Sequence, residues 1–443
     1  MDYEQLSMVA DKFSWVFAAL RLNACGKEAK FCRRARLIPP FRLGLALTAT
    51  SARQQVETRT DFHRGFHALW GPQVSSEACY KQRATPQCAE LARTLSARLM
   101  SDMRWKVFGF TTGRACGEFR RILIQDGTAC AMHAALREVL PGRFKKVKPA
   151  AVALHTAMER LCAAPPTVVL PPDTTSAQAF LPEPTALCAS GLLADRGSSD
   201  LHSLRRVQEA GGCCIIRAKA GMNPQVVEAL REDGKRLRSL RNQPLQPIHT
   251  TLPQRQRVAL GVRWDGDGCP RCLRLIVSWN RRTKRCCSWL TNLPPTRSPR
   301  EVICRACKGR WPGERRCKEW KAYANRHAFD TAKVAMVAGW IGAAIAAAAL
   351  KRFLAHATPL IAGVAMSTRQ AARCVTYVLS DIVQAWKPAQ GAGLDDAFMS
   401  AVTSLACHAR RAHPQRDRHR GRFQLGLEPL FGNNDAAEIR EAA

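Results

Sequence analysis

Four residues near position 310 combine side chains and spacing that suit phosphate chemistry: Cys307, Arg310, Glu314 and Lys321. An α-helix turns by about 100° per residue, so a helix through this segment would bring these positions to one face. Such a face offers two cations and a carboxylate to one ligand, which suits a phosphate held beside a metal ion. The ordinary alternative is a solvated charged helix, so the hypothesis needs supporting residues elsewhere.

Two aspartates in other parts of the chain give that support. Asp126 closes the apolar run FRRILIQ and is expected at the end of a strand that turns into a helix, AMHAALREVL. Asp195 closes a second apolar strand, followed by a helix from Leu201 to Glu209 and a strand, CCIIRAK. Taken alone, each aspartate reads as a turn or a helix cap. The βαβ rhythm indicates an α/β sheet, whose sites lie at the carboxyl ends of strands.

Together the three acids fit one reaction type. Two-metal phosphoryl chemistry needs about three carboxylates around ions roughly 4 Å apart, so that one ion activates the attacking oxygen and the other stabilises the leaving oxygen. Asp126, Asp195 and Glu314 form such a set. Their hard oxygen ligands select Mg²⁺ or Mn²⁺ over softer metals.

The composition favours a polyanionic partner. The 443 residues include 68 Lys and Arg against 35 Asp and Glu, which gives a formal net charge of +33. Such an excess favours binding to phosphates with release of counterions. The alternative is a basic protein without a polyanionic ligand. At this length we expect two or three domains with sizeable cores.

The sequence predicts a cytoplasmic protein. The amino terminus carries acids and has no positive region before an apolar run, so it does not resemble a secretory signal. The 19 cysteines are therefore expected to be reduced thiols or metal ligands. An uncharged run, VAMVAGWIGAAIAAAAL, covers 334–350. It is short for a membrane span and rich in Ala and Gly, so we expect a buried core helix and no membrane.

Periodicity divides the chain into helical and β-rich parts. Leucines and a methionine recur every four residues from Ala89 to Met103, which predicts an amphipathic helix. The stretch AAVALHTAMERLCAA also reads as helix, and TVVL reads as a short strand. Residues 233–298 contain three predicted strands, RVALGVRW, CLRLIVSWN and CCSWLTNLP. The stretch 300–405 reads as helical and precedes an arginine-rich tail that could bind nucleic acid or aid solubility.

Several of these strings make the chain resemble the DDE transposases of bacterial insertion sequences, family four. That branch has the signature Tyr-x2-Arg-x3-Glu-x6-Lys, and its spacing is intact from position 307 to 321, with cysteine at the tyrosine position. Further matching strings are LIQDGT around Asp126, LLADRG around Asp195, RAKAGMNPQVVEALREDGKRLRSLR, LRLIVSWNRRTK, LTNLPPTR, KEWKAYANRHAFDT and LKRFLAHA.

The resemblance implies an α/β fold with a ribonuclease H-like catalytic core and a β-rich insertion between the second Asp and the Glu. A helical DNA-binding region would precede the core and a helical region would follow it. The implied boundaries are 1–115 for the amino-terminal region, 116–232 and 299–375 for the two parts of the core, 233–298 for the insertion and 376–443 for the carboxyl-terminal region.

The resemblance also implies a function and its residues. Such enzymes bind the terminal inverted repeats of their element as double-stranded DNA, pair the ends in an oligomer, here expected to be a dimer, cleave the strand and join its 3′ hydroxyl to target DNA. This implies a nucleoid-associated enzyme of the bacterial cytoplasm. Asp126, Asp195 and Glu314 would be catalytic and hold two Mg²⁺ or Mn²⁺ ions. The implied DNA-binding residues are Arg196, Arg310, Trp311, Lys318 and Lys321.

The chain departs from the family pattern around the glutamate. Cys307 replaces a tyrosine, and Pro312 with Gly313 stands just before Glu314, where proline inside a helix would cost about 3 kcal/mol unless it lies in the first turn. Two arginines, at 315 and 316, follow the glutamate where apolar residues are usual. These departures lead to the hypothesis of a degenerate, weakly active copy.

Two alternatives to an active transposase remain open. One is a catalytically inactive protein that binds the element ends. The other is a zinc-binding nucleic-acid protein, because two Cys-x2-Cys pairs could complete a tetrahedral site. Their spacing of 31 residues exceeds the usual gap of about 15 to 20, and the pairs are Cys269, Cys272, Cys304 and Cys307.

Overall fold

The computed structural model describes most of the chain. The described residues are 2–32, 38–53, 58–72, 74–107, 121–159, 167–198, 201–219, 221–231, 233–246, 248, 257–264, 271–280, 285–295, 303, 331–386 and 393–413.

Before the sheet, the described chain is helical. The helices have defined starts: Asp2 accepts a hydrogen bond from the Gln5 N–H, and Thr58 and Asp61 form a capping box. The longest contains the predicted stretch from Ala89 to Met103, so that prediction is confirmed. These helices are α1 (Tyr3–Phe17), α2 (Ala19–Glu28), α3 (Pro40–Ala52), α4 (Arg59–Trp70), α5 (Ser76–Arg83) and α6 (Pro86–Val107).

Nine strands form one sheet within the described residues, in the order β3-β2-β1-β4-β5-β9-β8-β7-β6. The neighbours β1, β4 and β5 are parallel, and the other neighbouring pairs are antiparallel. The strands are β1 (Arg121–Ala131), β2 (Ala151–Glu159), β3 (Thr167–Val169), β4 (Ser190–Ala194), β5 (Cys213–Arg217), β6 (Gln225–Leu230), β7 (Arg257–Trp264), β8 (Arg271–Asn280) and β9 (Arg285–Thr291). The short helix α7 (Pro184–Leu187) precedes β4, and α8 (Leu201–Glu209) connects β4 to β5.

Most strand predictions are confirmed, and two helix predictions are wrong. Strands occur at TVVL, before Asp195, at CCIIR and at all three sites in the β-rich stretch. However, β1 continues through Asp126 to Ala131, and only a 3-10 turn at Ala134–Leu136 lies where AMHAALREVL was predicted to be helical. The predicted helix at 150–164 contains β2 instead. The spacing of its Ala and Leu residues is compatible with a helix or a strand, and the pairing with β1 stabilises the strand.

The described part of 300–405 is helical, as predicted. It contains α9 (Val334–Ala362), α10 (Thr368–Ala385) and α11 (Leu394–His408). The helix α9 includes the uncharged run and, among the described residues, is the one helix long and apolar enough to cross a membrane. Of its most apolar window, 72% is buried inside the protein, which confirms the prediction of a core helix.

The helix α9 belongs to two cores. Ala343, Ala346 and Leu350 lie in a large core built from α1–α6 and from α9–α11. Val337 and Ile341 lie in a second core, against residues of β1, β2 and the loop between them. The fold is thus a mixed α/β structure in which one helix joins a helical bundle to a sheet.

The two faces of the sheet are covered differently. One face, here called the opposite face, packs Leu123 and Leu192 against Leu204 and Val207 of α8. The other, here called the carboxylate face because Asp126 lies on it, carries alternate residues of each strand. It includes a core with Ile124, Leu193, Ile215 and Ile303, and the core beneath α9.

Candidate functional site

Two carboxylates lie next to each other on the carboxylate face. The parallel register pairs Gln125 of β1 with Ala194 of β4, so the following residues, Asp126 and Asp195, occupy neighbouring positions. Strands alternate their side chains between the two faces of a sheet. Both carboxylates therefore lie on the carboxylate face, whereas Gln125 and Ala194 lie on the opposite face. Both residues are half-buried. The site therefore offers two acids to one ligand.

Buried neighbours and backbone hydrogen bonds position these aspartates. Ile124 is 4% exposed, and Leu193, its partner across β1 and β4, is also 4% exposed. The Thr156 hydroxyl donates to the Asp126 carbonyl at 3.3 Å. The Ser198 N–H donates to the Asp195 carbonyl at 3.0 Å. The two acids therefore stand on a backbone held by the core below and by local bonds.

The same row of the sheet brings a cation to the pair. Ala194 pairs with Ile216, so Arg217, the last residue of β5, lies next to the position of Asp195. Arg217 is half-buried. Its string, RAK, was part of the resemblance, but the sequence analysis gave it no role. A partial signal was available, because Arg217 closes an apolar strand and the carboxyl ends of parallel strands lie at one edge of a sheet.

Further arginines continue this positive character across the β-rich strands. Arg274 of β8 lies between Gly261 and Thr291 of the neighbouring strands, and Arg263 of β7 donates from Nη2 to the Gln225 Oε1 at 2.9 Å. Both arginines are half-buried and lie on the carboxylate face. The predicted DNA-binding residue Arg196 is exposed and directly follows Asp195. Arg196 and Arg217 thus adjoin the carboxylates, and the arginines of β7 and β8 extend the positive charge along the same face, as binding of a phosphate chain requires.

The remaining predicted site residues fall outside the described residues. These are Glu314, Arg310, Trp311, Lys318 and Lys321, together with Cys269, Cys304 and Cys307 of the zinc alternative. For Cys272, the backbone is described as part of β8.

The chain on either side of Glu314 is anchored to the carboxylate face. Ile303 is fully buried in the core that contains Ile124, Leu193 and Ile215. On the other side of Glu314, α9 packs its first turns on the same face, over β1 and β2. The strand β1, which carries Asp126, contributes to both cores, and β4, which precedes Asp195, contributes to the core that contains Ile303.

The donor set suits a hard cation. Carboxylate oxygens are preferred ligands of Mg²⁺ and Mn²⁺, whereas zinc prefers nitrogen and sulfur. Within the part of the chain that the structure describes, no group of three or more His, Cys, Asp or Glu side chains could hold a metal ion. Asp126 and Asp195 thus fit part of a magnesium site, which needs at least one further ligand.

A buried histidine near the site faces away from it. His155 pairs with Gly127, one residue beyond Asp126, and therefore lies on the opposite face. Its ring stacks on Phe180 with a centroid distance of 4.5 Å. Burial lowers its pKa, with a raising effect from Asp173 and a further lowering effect from Arg143. His155 therefore supports the strand from below and is not a ligand of the two-carboxylate site.

Comparison with known families gives one finding. Residues 150–350 match the family model of the transposase DDE domain. The matched range contains Asp195 and Glu314 and begins after Asp126. No curated protein matches the chain. DDE transposase domains cleave and join DNA and generally use divalent metal ions. The match supports a likeness of this part of the chain, residues 150–350, to transposase DDE domains.

Proposed function

We propose that the chain is a family-four transposase of an insertion sequence. It would bind the terminal inverted repeats, cleave the DNA strand with the help of divalent metal ions and join the 3′ hydroxyl to target DNA. The observation that carries this proposal is the adjacency of Asp126, within β1, and Asp195, directly after the parallel strand β4. Sites in α/β sheets occur at the carboxyl ends of parallel strands, and Asp195 stands at such an end.

The sheet supports the proposed division into a core and an insertion. Strands β1 to β5 are contiguous in the sheet, and they contain the parallel strands that carry both aspartates. We assign these five strands to the ribonuclease H-like core. Strands β6 to β9 extend the sheet beyond β5; β7 to β9 lie within the proposed β-rich insertion, 233–298, and β6 precedes it in the chain.

Glu314 is the proposed third carboxylate. Both anchoring points around it, Ile303 and the start of α9, lie on the face that carries Asp126 and Asp195. Ten residues lie between Ile303 and Glu314, and an extended chain spans at most about 3.3 to 3.6 Å per residue, so the glutamate can reach the site. Its position in the family signature supports the same role.

The three acids would hold Mg²⁺ or Mn²⁺, and the bound ions would activate the attacking oxygen and stabilise the leaving oxygen. Arg217 would bind the phosphate that reacts, beside Asp195. The cations and the aromatic residue of the signature region would hold the element end, through a guanidinium fork, point charges and an aromatic surface. These residues are Arg196, Arg310, Trp311, Lys318 and Lys321. A homodimer would pair two ends.

The test is cleavage of labelled duplex DNA carrying the inverted repeats that flank the gene. We expect each of three substitutions to raise the activation free energy of cleavage by several kcal/mol, which lowers the rate roughly 10²- to 10³-fold or more. The substitutions are Asp126→Asn, Asp195→Asn and Glu314→Gln. Arg217→Gln should lower the rate at saturating DNA by about 10²-fold, and Arg217→Lys should restore part of it. The matched control is Glu77→Gln, an exposed carboxylate of α5, outside the sheet.

Gel-shift binding of the same DNA separates the outcomes. Variants at the acids should still bind, because they lose chemistry and keep the cationic surface. Cleavage that survives all three substitutions would remove the carboxylate assignment.

A weakly active or inactive copy is the second candidate, favoured by Pro312, Gly313, Arg315 and Arg316 around Glu314. Binding of the ends without any nicking in Mg²⁺ or Mn²⁺ would identify this state. One equivalent of tightly bound zinc in the same preparation would instead favour the zinc-binding alternative.

A further inference from the structure

A basic turn lies within the connection between β1 and β2 and is not part of the site described above. We define it as residues 141–149, with the sequence PGRFKKVKP. Pro141 and Ala150 form a β-bridge at its base, and the Gly142 N–H donates to the Pro149 carbonyl at 2.9 Å. At the tip, the Lys148 N–H donates to the Phe144 carbonyl at 2.7 Å. These bonds give the turn a defined shape.

Two further contacts fix this shape. A Cβ atom at Gly142 would lie 2.0 Å from the Lys148 carbonyl oxygen, so only glycine allows this close approach of the two arms. Arg143 donates from Nη2 to the Asp173 carbonyl at 3.1 Å, which ties the turn to the chain after β3. Asp173 itself is buried. The backbone of the turn therefore has a fixed shape.

The exposed side chains of the turn are cationic and apolar. Lys145, Lys146 and Lys148 are exposed, as is Arg143, and residues 141–149 contain no acid. Phe144 is 64% exposed and Val147 is 79% exposed. Lysines alone would fit a solvated surface. Large apolar side chains held among them by a fixed backbone favour a partner that presents phosphates and apolar surface together.

The position of the turn identifies that partner. From Asp126, β1 continues in the direction of its carboxyl end to Ala131 and pairs throughout with β2. At about 3.4 Å per residue, β1 ends roughly 17 Å beyond the carboxylate pair, and the base of the turn adjoins that end, because the next residue, Met132, donates from its N–H to the Ala150 carbonyl at 2.9 Å. A length of roughly 17 Å is about half of one helical turn of DNA, which spans about 34 Å. A duplex that contacts Asp126 and Asp195 with one phosphate is therefore long enough to reach the level of the basic turn.

We infer that the basic turn binds the phosphate backbone of duplex DNA on one side of the cleavage position. This inference rests on the proposed function and adds a binding surface outside the carboxylate site. The duplex could be the element end itself or the DNA that adjoins the cleavage position, as flank or target. Both present the same phosphates, and the substrates of the test distinguish them.

The test variant replaces Lys145, Lys146 and Lys148 together by Gln and leaves the structural Arg143 in place. Because these side chains are exposed, the thermal unfolding midpoint should stay unchanged. The matched control replaces three exposed cations after β6, at the far edge of the sheet: Arg231→Gln, Lys235→Gln and Arg238→Gln. A third variant replaces the same three lysines by Arg and keeps the charge.

The measurement is the slope of log affinity against log salt concentration, which changes by about 0.9 per phosphate contact. The lysine-to-glutamine variant should bind with a slope shallower by about 1 to 3, whereas the control and the arginine variant should keep the native slope. Two probes are used, an element end that stops at the cleavage position and the same end extended by flanking duplex. A loss with both probes assigns the turn to the element end, and a loss confined to the extended probe assigns it to adjoining DNA.

Two results would overturn the inference. One is a native slope for the lysine-to-glutamine variant on both probes. The other is a lysine-dependent association with vesicles of anionic phospholipid while the DNA slope stays native, which would make the turn a membrane contact. The proposed function fails separately, if the native chain binds neither probe or cleaves DNA without its carboxylates.

Discussion

The adjacency of Asp126 and Asp195 depends on strand register. The two residues are far apart in the chain, and a shift of β1 against β4 by one residue would move one carboxylate to the opposite face. Buried side chains prevent such a shift, since Ile124 and Leu193 both belong to one core. The packing below the site therefore determines which acids meet above it.

His155 links the stability of this strand region to pH. Its pKa is lowered by burial, so the folded state binds this proton less readily than the unfolded chain does. The stabilising contribution is complete above the unfolded value of about 6.5 and is lost as the pH falls through that value towards the lower folded pKa. Stability from this residue therefore rises with pH in that window.

A denaturation series with His155→Gln tests this effect. The difference in unfolding free energy between the native chain and the variant should be larger at pH 7.5 than at pH 5.5, because acid removes the native advantage. Urea unfolding followed by circular dichroism measures it. A difference of equal size at both pH values would show that the ring acts only through its stack on Phe180.

At this scale the two described acids were predictable from the sequence, but their full surroundings were not. The position of Asp195 directly after a strand was predictable from the apolar run before it and the Arg-Gly after it. The position of Asp126 within β1 was not, because the run GTACA after it contains no strong strand formers and reads as a turn. Arg217 was missed because its place beside Asp195 depends on pairing between β4 and β5.

The pair α6 and α9 shows how small residues shape an element contact. A Cβ atom at Gly342 would lie 2.8 Å from the backbone carbon of Ala92 and 3.0 Å from its Cβ. Backbone atoms cannot move away at low cost, so the close approach of the two helices depends on this glycine. At Gly339, one turn earlier, a Cβ would be 3.7 Å from the Ala89 Cα, which is ordinary contact.

These two glycines give a matched pair of substitutions. Gly342→Ala should destabilise the protein by roughly 1 to 2 kcal/mol, since overpacking of about 1 to 3 kcal/mol outweighs the gain in helix propensity. Gly339→Ala should be neutral or stabilising by up to about 1 kcal/mol. Chemical denaturation measures both. Equal effects of the two substitutions would contradict a backbone contact specific to Gly342.

Helices were predictable where their pattern was complete in one segment. The four-residue spacing in α6 and the uncharged run in α9 are local signals, and both predictions are confirmed. The strand β2 carries an Ala-rich pattern that suits a helix equally well, and its state is decided by β1 and β3 on its two sides. Segments whose partners decide their structure were the ones predicted wrongly.

At the scale of the whole molecule, sequence-distant helices share one core. Phe13 and Phe17 of α1 and Phe62 of α4 lie in the same core as Leu350 of α9 and Phe398 of α11. Rings from the two ends of the chain touch, with Phe13 and Phe398 at a centroid distance of 5.3 Å. No pattern within either segment identifies the other as its packing partner, so this arrangement was not predictable from the sequence.

A chain that begins at residue 108 tests this shared core. Removal of α1 to α6 would expose the apolar residues of α9, including Leu350 and Phe353, to water. We expect this fragment to aggregate or to lack a cooperative thermal transition, and co-expression of 1–107 as a separate chain should restore solubility. Size-exclusion chromatography and near-ultraviolet circular dichroism provide the readout. A monomeric fragment with native spectra would show that the sheet and α9 are stable alone.

The position of α9 also bears on how the protein is made. The helices α1 to α6 leave the ribosome roughly 230 residues before α9, and at about 5 to 20 residues per second they wait on the order of 10 to 50 s for it. During that interval the surface of α6 that later packs on α9 has no native cover. We therefore expect synthesis of this chain to depend on chaperones during the interval, and slow codons between 108 and 334 to lengthen it.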